Sequence, residues 1–129
     1  MNPVYIFLMM LFMHILDDFH FQGVLANLKQ KSWWTKNAPD PKYKNDWVPA
    51  LIAHVVSWSM MVMSPCVLFM DVPVWIVIPL FVFNCAAHFV IDDLKCNRFL
   101  IGLVEDQMLH LSQIILTVLV CSIVPGMKN

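Results

Sequence analysis

The sequence predicts an all-α fold: a bundle of four transmembrane helices with an intramembrane His/Asp cluster in its cytoplasmic half. Three observations predict it. Of the 129 residues, 60% are hydrophobic and only 13% are charged, whereas soluble domains average about 25% charged. Four apolar stretches, at about 4–24, 48–70, 74–94 and 99–124, each approach the roughly 20 residues that a helix needs to cross a ~30 Å hydrocarbon core. The polar residues inside those stretches recur at helical spacing.

The first stretch begins behind Pro3 and is interrupted by DDFHFQ. It carries no small-residue cleavage site, so a retained span is expected rather than a removed signal peptide. Pro49 opens the second span, Pro73 precedes the third, and Pro125-Gly126 closes the fourth, as helix punctuation requires. Pro65 and Pro79 fall inside spans, where each frees a carbonyl that neighbours must satisfy.

The chain reads as a single integral membrane domain over 1–129. Its one sizeable polar piece, about 27–47, is too short to build a core of its own. A separate soluble catalytic domain is therefore excluded, no nucleic-acid partner is expected, and membrane lipids are the expected surroundings.

Five of the eight basic residues (Lys29, Lys31, Lys36, Lys42, Lys44) lie in that first loop, and Lys95 and Arg98 lie in the third connection. The positive-inside rule then places both basic connections in the cytoplasm and both termini outside, with Lys128 on the outer side. Trp33, Trp34, Tyr43 and Trp47 flank the loop as interfacial anchors do. The lysine run has an ordinary explanation as a topology signal; a functional alternative has Lys29 or Lys31 steering a phosphate. Cys66, Cys85, Cys96 and Cys121 show no metal-ribbon spacing, and a Cys66–Cys121 disulfide at the outer face is one alternative to free thiols.

Each span carries one polar stripe. His14, Asp18 and Gln22 share a face of the first; His54, Ser57 and Ser64 mark the second. Asn84, His88, Asp92 and Lys95 line the third, and Asp106, His110, Gln113 and Thr117 the fourth. A charge exposed to lipid at depth costs at least ~2.5 to 3.5 kcal/mol, so the stripes are expected to turn toward one another. Four histidines and three aspartates would then converge within about 10 Å of depth at ~1.5 Å rise per residue. Asp17, Asp93, Glu105 and His20 fall off the stripes, and solvated or headgroup-facing positions are expected for them.

Imidazole and carboxylate are ligands of divalent metals, zinc first, with manganese or iron as alternatives. The expected ligand set is His14, Asp18, His54, His88, Asp92, Asp106 and His110. Seven donors exceed one tetrahedral site, so either two ions bind or some residues orient others.

Taken in order, the motifs H-x-x-x-D-F-x-x-Q (His14, Asp18, Phe19, Gln22), a following lysine, a histidine in the second span, H-F-x-I-D-x-x-K (His88, Phe89, Ile91, Asp92, Lys95) and D-Q-x-x-H (Asp106, Gln107, His110) carry a resemblance. Over nearly its whole length the chain resembles the small bacterial and phage multi-pass membrane proteins grouped as domain of unknown function 3307. That resemblance implies a place in a bacterial inner membrane and supplies a residue pattern without an activity. One departure is Asp17, where the family pattern leads one to expect a small residue. The intramembrane His and Asp residues are also similar in style to those of metal-dependent membrane hydrolases.

The leading functional expectation is a membrane-embedded metal-dependent hydrolase acting on a lipid or isoprenoid phosphate or ester at the cytoplasmic leaflet. In it one or two divalent ions activate water, Asp106 takes the proton and Lys95 holds the anionic headgroup. A second expectation is a metal-ion or proton channel or transporter using the same cluster, since Gln113 and Thr117 continue the fourth stripe outward. A third is a non-enzymatic phage membrane effector with a structural metal. Self-association into a homo-oligomer is compatible with all three.

Overall fold

In the computed structural model, which describes residues 2–123, every regular element is helical. Helix α1 (Pro3–Ile15) runs directly into a π-helical turn (Leu16–Phe21). Two short helices follow, α2 (Leu25–Leu28) and α3 (Lys31–Asn37), then a 3-10 turn (Pro41–Tyr43). The long helices α4 (Trp47–Phe69), α5 (Val74–Cys96) and α6 (Leu103–Ile123) complete the chain.

Four helices are long and apolar enough to cross a membrane: α1 with its π turn, α4, α5 and α6. They close a ring in which α1 lies beside α4 and α6, and α5 beside the same two. The sequence-based spans agree with them closely except at the fourth, which begins at Leu103 rather than near residue 99. Phe99 and Leu100 are apolar but lie in a turn, Phe99 with φ +56°. The Pro125-Gly126 stop and Lys128 lie outside the described residues.

Local sequence explains the boundaries. Asn2 caps α1, its Oδ1 accepting from the Val4 amide at 2.9 Å, with Pro3 at the first helical position, where its missing N–H is not needed. Glu105 reaches back to the Gly102 amide at 3.0 Å to start α6, half of a capping box. Inside α4, Pro65 leaves the Met61 carbonyl without its helical donor, and the Ser64 hydroxyl donates to it at 2.8 Å.

The bundle is apolar outside and graded inside. Leu8, Phe12, Ile78, Val82 and Leu119 are exposed on its outer surface, where acyl chains would cover them. At one end the interior is a core built on Ile6, Met10, Trp58, Val62, Ile114 and Cys121. All four cysteines are free; the Cys66 thiol points at the Met10 sulfur, 3.4 Å away. At the other end, below the polypeptide between α1 and α4, the interior is polar.

That connecting segment is tied down. Asn97 at the end of α5 accepts from the Lys31 amide at 2.8 Å and donates to the Lys29 carbonyl at 3.2 Å. The Trp34 indole N–H donates to the Leu28 carbonyl at 2.7 Å. Two of the expected interfacial aromatics thus brace the loop, with Trp34 near-parallel to Tyr43.

Candidate metal centre

The polar stripes do meet. His14, His54, His88, Asp92, Asp106 and His110 are all buried, and Asp18 joins them with little of its side chain exposed. The His54 and His88 Nε2 atoms lie 3.1 Å apart. Asp18 Oδ1 is 3.3 Å from His54 Nε2 and 4.0 Å from His88 Nε2. Asp92 Oδ2 stands 3.3 Å from His54 Nε2 and 3.8 Å from His88 Nε2, while its Oδ1 is 3.6 Å from His110 Nε2. Asp106 Oδ1 is 3.3 Å from His110 Nε2.

Among the described residues, two groups of three offer ligand atoms close enough to share an ion: Asp18, His54 and His88, and His88, Asp92 and His110. Several buried atoms in this region lack a hydrogen-bond partner, among them Asp17 Oδ2, Asp18 Oδ1, Asp106 Oδ1, His88 Nδ1 and both His110 nitrogens. Buried polar atoms normally find partners, so a concentration of orphans around imidazoles and carboxylates fits a cation.

His14 behaves differently from the other histidines. Trp58 can only donate, and its Nε1 points at His14 Nδ1 at 2.8 Å. The proton is therefore on His14 Nε2, which donates to Gln107 Oε1 at 3.1 Å. Both ring nitrogens are thus engaged, and His14 braces the cluster from α1. Trp58→Phe removes the donor and part of the indole's bulk; a loss of about 1 to 3 kcal/mol is expected for the buried acceptor left behind, with the vacated space adding to it. Thermal unfolding in detergent checks this, and an unchanged midpoint would show the bond to be energetically idle.

Two residues expected at the surface are inside. Asp17 is 2% exposed; Ser57 donates to its Oδ1 at 2.7 Å, and its Oδ2 lies 3.6 Å from His54 Nδ1. The cause is the π turn, whose i→i+5 pattern is wider than an α turn. It brings consecutive aspartates, Asp17 and Asp18, both to bear on the interior. Asp93 is also buried, paired with Arg98 Nε at 2.6 Å and with Lys31 Nζ at 3.8 Å. Glu105 and His20 are exposed as expected.

Lysines neutralise two further acids. Lys29, 5% exposed, reaches from α2 into the bundle to Asp92 Oδ2 at 2.6 Å. Lys95 meets Asp106 Oδ2 at 2.5 Å, and Gln107 donates to the same oxygen at 2.9 Å. Sequence reasoning left Trp58 and Gln107 out of the site. Trp58 stands four residues after His54, a spacing that put it on the same face.

A cavity of about 210 Å³ opens on the loop side of the cluster, lined by Asp18, Asp92, Lys29, Lys95, Gln22 and Gln107 among others. A larger hollow of about 770 Å³ lies between α3 and the start of α4 and contains none of the cluster residues. Deeper in the bundle, Asn84, Gln113 and Thr117 bond to one another, with Gln113 Oε1 left without a partner. Gln113 donates to Asn84 Oδ1 at 2.8 Å, and Asn84 Nδ2 donates to the Thr117 hydroxyl at 3.1 Å.

No known protein family matches the chain, and comparison with curated proteins and with solved structures yields no similar protein. The chemistry of the site must therefore be read from its own residues.

Proposed function

We propose that the protein is a metal-dependent hydrolase embedded in a bacterial inner membrane, acting on the phosphate headgroup of a lipid or isoprenoid substrate at the cytoplasmic leaflet. The observation that carries this reading is the shared wall: the cavity lined by the Lys29 and Lys95 ammonium groups is also lined by Asp18 and Asp92 of the candidate metal centre. Cationic side chains and donors of the candidate metal centre thus border one small space. The basic connections favour this orientation by the positive-inside rule. The resemblance to domain of unknown function 3307 rests on motifs alone and belongs to the same proposal.

A divalent ion held by the histidines and aspartates would polarise a phosphoryl oxygen and supply hydroxide near neutral pH. The chain's own residues supply the rest. Lys95 and Lys29 border the position of an anionic headgroup, and Gln22 and Gln107 offer amide groups there. Phe19, exposed to lipid at the cavity's edge, lies where an acyl or isoprenoid chain would leave the headgroup. The sequence alone suggested Asp106 as proton acceptor. One Asp106 oxygen is held by Lys95 and Gln107, and the other, facing His110, is the one left to take the proton.

The Asn84–Gln113–Thr117 network supports hydrolysis over conduction. Apart from Gln113 Oε1, these residues spend their side-chain hydrogen bonds on one another and on nearby backbone, and the apolar core built on Trp58, Val62 and Ile114 fills the adjoining bundle.

The test uses the purified full chain in nanodiscs with a panel of lipid and isoprenoid phosphates, reading released phosphate. Zinc-dependent release that chelator abolishes, and that Lys95→Ala reduces at least tenfold, is the expected result. Absence of release from every substrate in the zinc-loaded protein would overturn the assignment.

A further inference from the structure

Within that reading, we infer that the centre takes one divalent ion, held by Asp18 Oδ1, His54 Nε2 and His88 Nε2, and that Asp17 is the residue that positions His54 for it.

Geometry separates the two candidate trios. The three atoms of the first stand 3.1, 3.3 and 4.0 Å apart. The point equidistant from all three therefore lies about 2 Å from each, the ordinary zinc–nitrogen and zinc–oxygen distance. In the second trio, the His88 and His110 rings stack with centroids 4.2 Å apart and planes only 24° from parallel. An imidazole lone pair lies in its ring plane, and two stacked, nearly parallel planes do not converge on an ion between them. The His54 and His88 planes cross at 58°, an angle that lets two in-plane lone pairs meet at one point, and their Nε2 atoms already stand 3.1 Å apart.

Charge points the same way. Asp92 has Lys29, Asp106 has Lys95, and Asp93 has Arg98 and Lys31. Among the described residues no lysine or arginine pairs with Asp17 or Asp18, which face a hydroxyl and imidazoles. Two neighbouring carboxylates without a fixed cation ask for two positive charges, which one divalent ion supplies.

Asp17 is placed as the outer partner in a carboxylate–histidine–metal relay. Its Oδ2 lies on the Nδ1 side of His54, opposite the Nε2 that faces Asp18 and His88. A carboxylate there favours the proton on Nδ1 and leaves the Nε2 lone pair for the ion, and such partners are worth about 10- to 100-fold in metal affinity. Ser57 fixes the carboxylate through its other oxygen.

The test is zinc titration of the full chain in detergent, with the metal counted by elemental analysis. One zinc ion per chain is expected in the native protein and in His110→Asn. Asp18→Asn should abolish binding, and Asp17→Asn should weaken it about 10- to 100-fold with the stoichiometry kept at one. Ser57→Ala, which retains the carboxylate, should cost a few-fold and guards against a misfolded Asp17 variant. Nitrogen-15 histidine spectra of the zinc-loaded protein should show the His54 Nδ1 proton in the native chain and its perturbation in Asp17→Asn, which a general loss of stability does not produce. A native protein that binds no zinc overturns the metal reading itself. Two ions per chain, or native affinity in Asp17→Asn, overturns this inference and leaves that reading standing.

Discussion

His88→Ala is expected to lower zinc affinity by more than about 100-fold, because even partners outside the coordination sphere are worth 10- to 100-fold and His88 belongs to both candidate trios. The side chain is fully buried and stacks against Trp58 and His110, each with ring centroids 4.2 Å away. Its removal therefore opens a cavity as well, at a cost of about 2 kcal/mol or more. The two effects are separable: zinc counting on folded, detergent-solubilised protein reads the first, and unfolding with chelator present reads the second. Retention of near-native zinc binding in a folded His88→Ala protein would falsify the placement of the ion.

Lys29→Met is expected to be the most destabilising single change at the site. Both members of the Lys29–Asp92 pair are buried, and removing one partner of a buried pair typically costs about 3 to 5 kcal/mol because the other charge stays uncompensated. Replacing both, as in Lys29→Met with Asp92→Leu, should recover much of that loss, since the orphaned carboxylate goes with the lysine. Denaturant unfolding in micelles with chelator present measures both. A single variant as stable as the native chain, or a double variant less stable than the single, would show that the pair does not hold α2 against the bundle.

What the sequence made legible follows from which rules its segments obey. The fold was readable because four hydropathy windows matched the thickness of a bilayer, and three of the four span starts fell within a residue of the helices found. The fourth was placed early because Phe99 and Leu100 look like membrane residues, although they sit in a turn that starts with a left-handed backbone. His88 with Asp92 and Asp106 with His110 were readable because α5 and α6 are regular there, so a four-residue spacing means a shared face.

Asp17 was unreadable by that rule because the rule assumes 3.6 residues per turn, and the chain changes pitch at Leu16. Lys29 was named only as one of two lysines that could steer a phosphate, and its burial was unreadable for another reason. A lysine in a basic loop is ordinarily solvated, and nothing in its neighbours shows that a four-residue helix, clipped by Asn97, turns it inward. His14 was correctly assigned to the cluster, but its bonds to Trp58 and Gln107 depend on three helices meeting, which no single helical period encodes.

The change of pitch at Leu16 also stores a spare residue. A π turn advances fewer degrees per residue than an α turn, so deleting one residue anywhere from 16 to 21 would let the segment relax to ordinary α geometry with everything upstream facing nearly as before. Ile6, Met10 and His14 would keep their inward aim while Asp17 or Asp18 lost its own. The same deletion in the middle of α6 finds no wide turn to absorb it and would swing one half of that helix against the other by about 100°, so tolerance to lost residues should be far higher in the wide turn than in the regular helices.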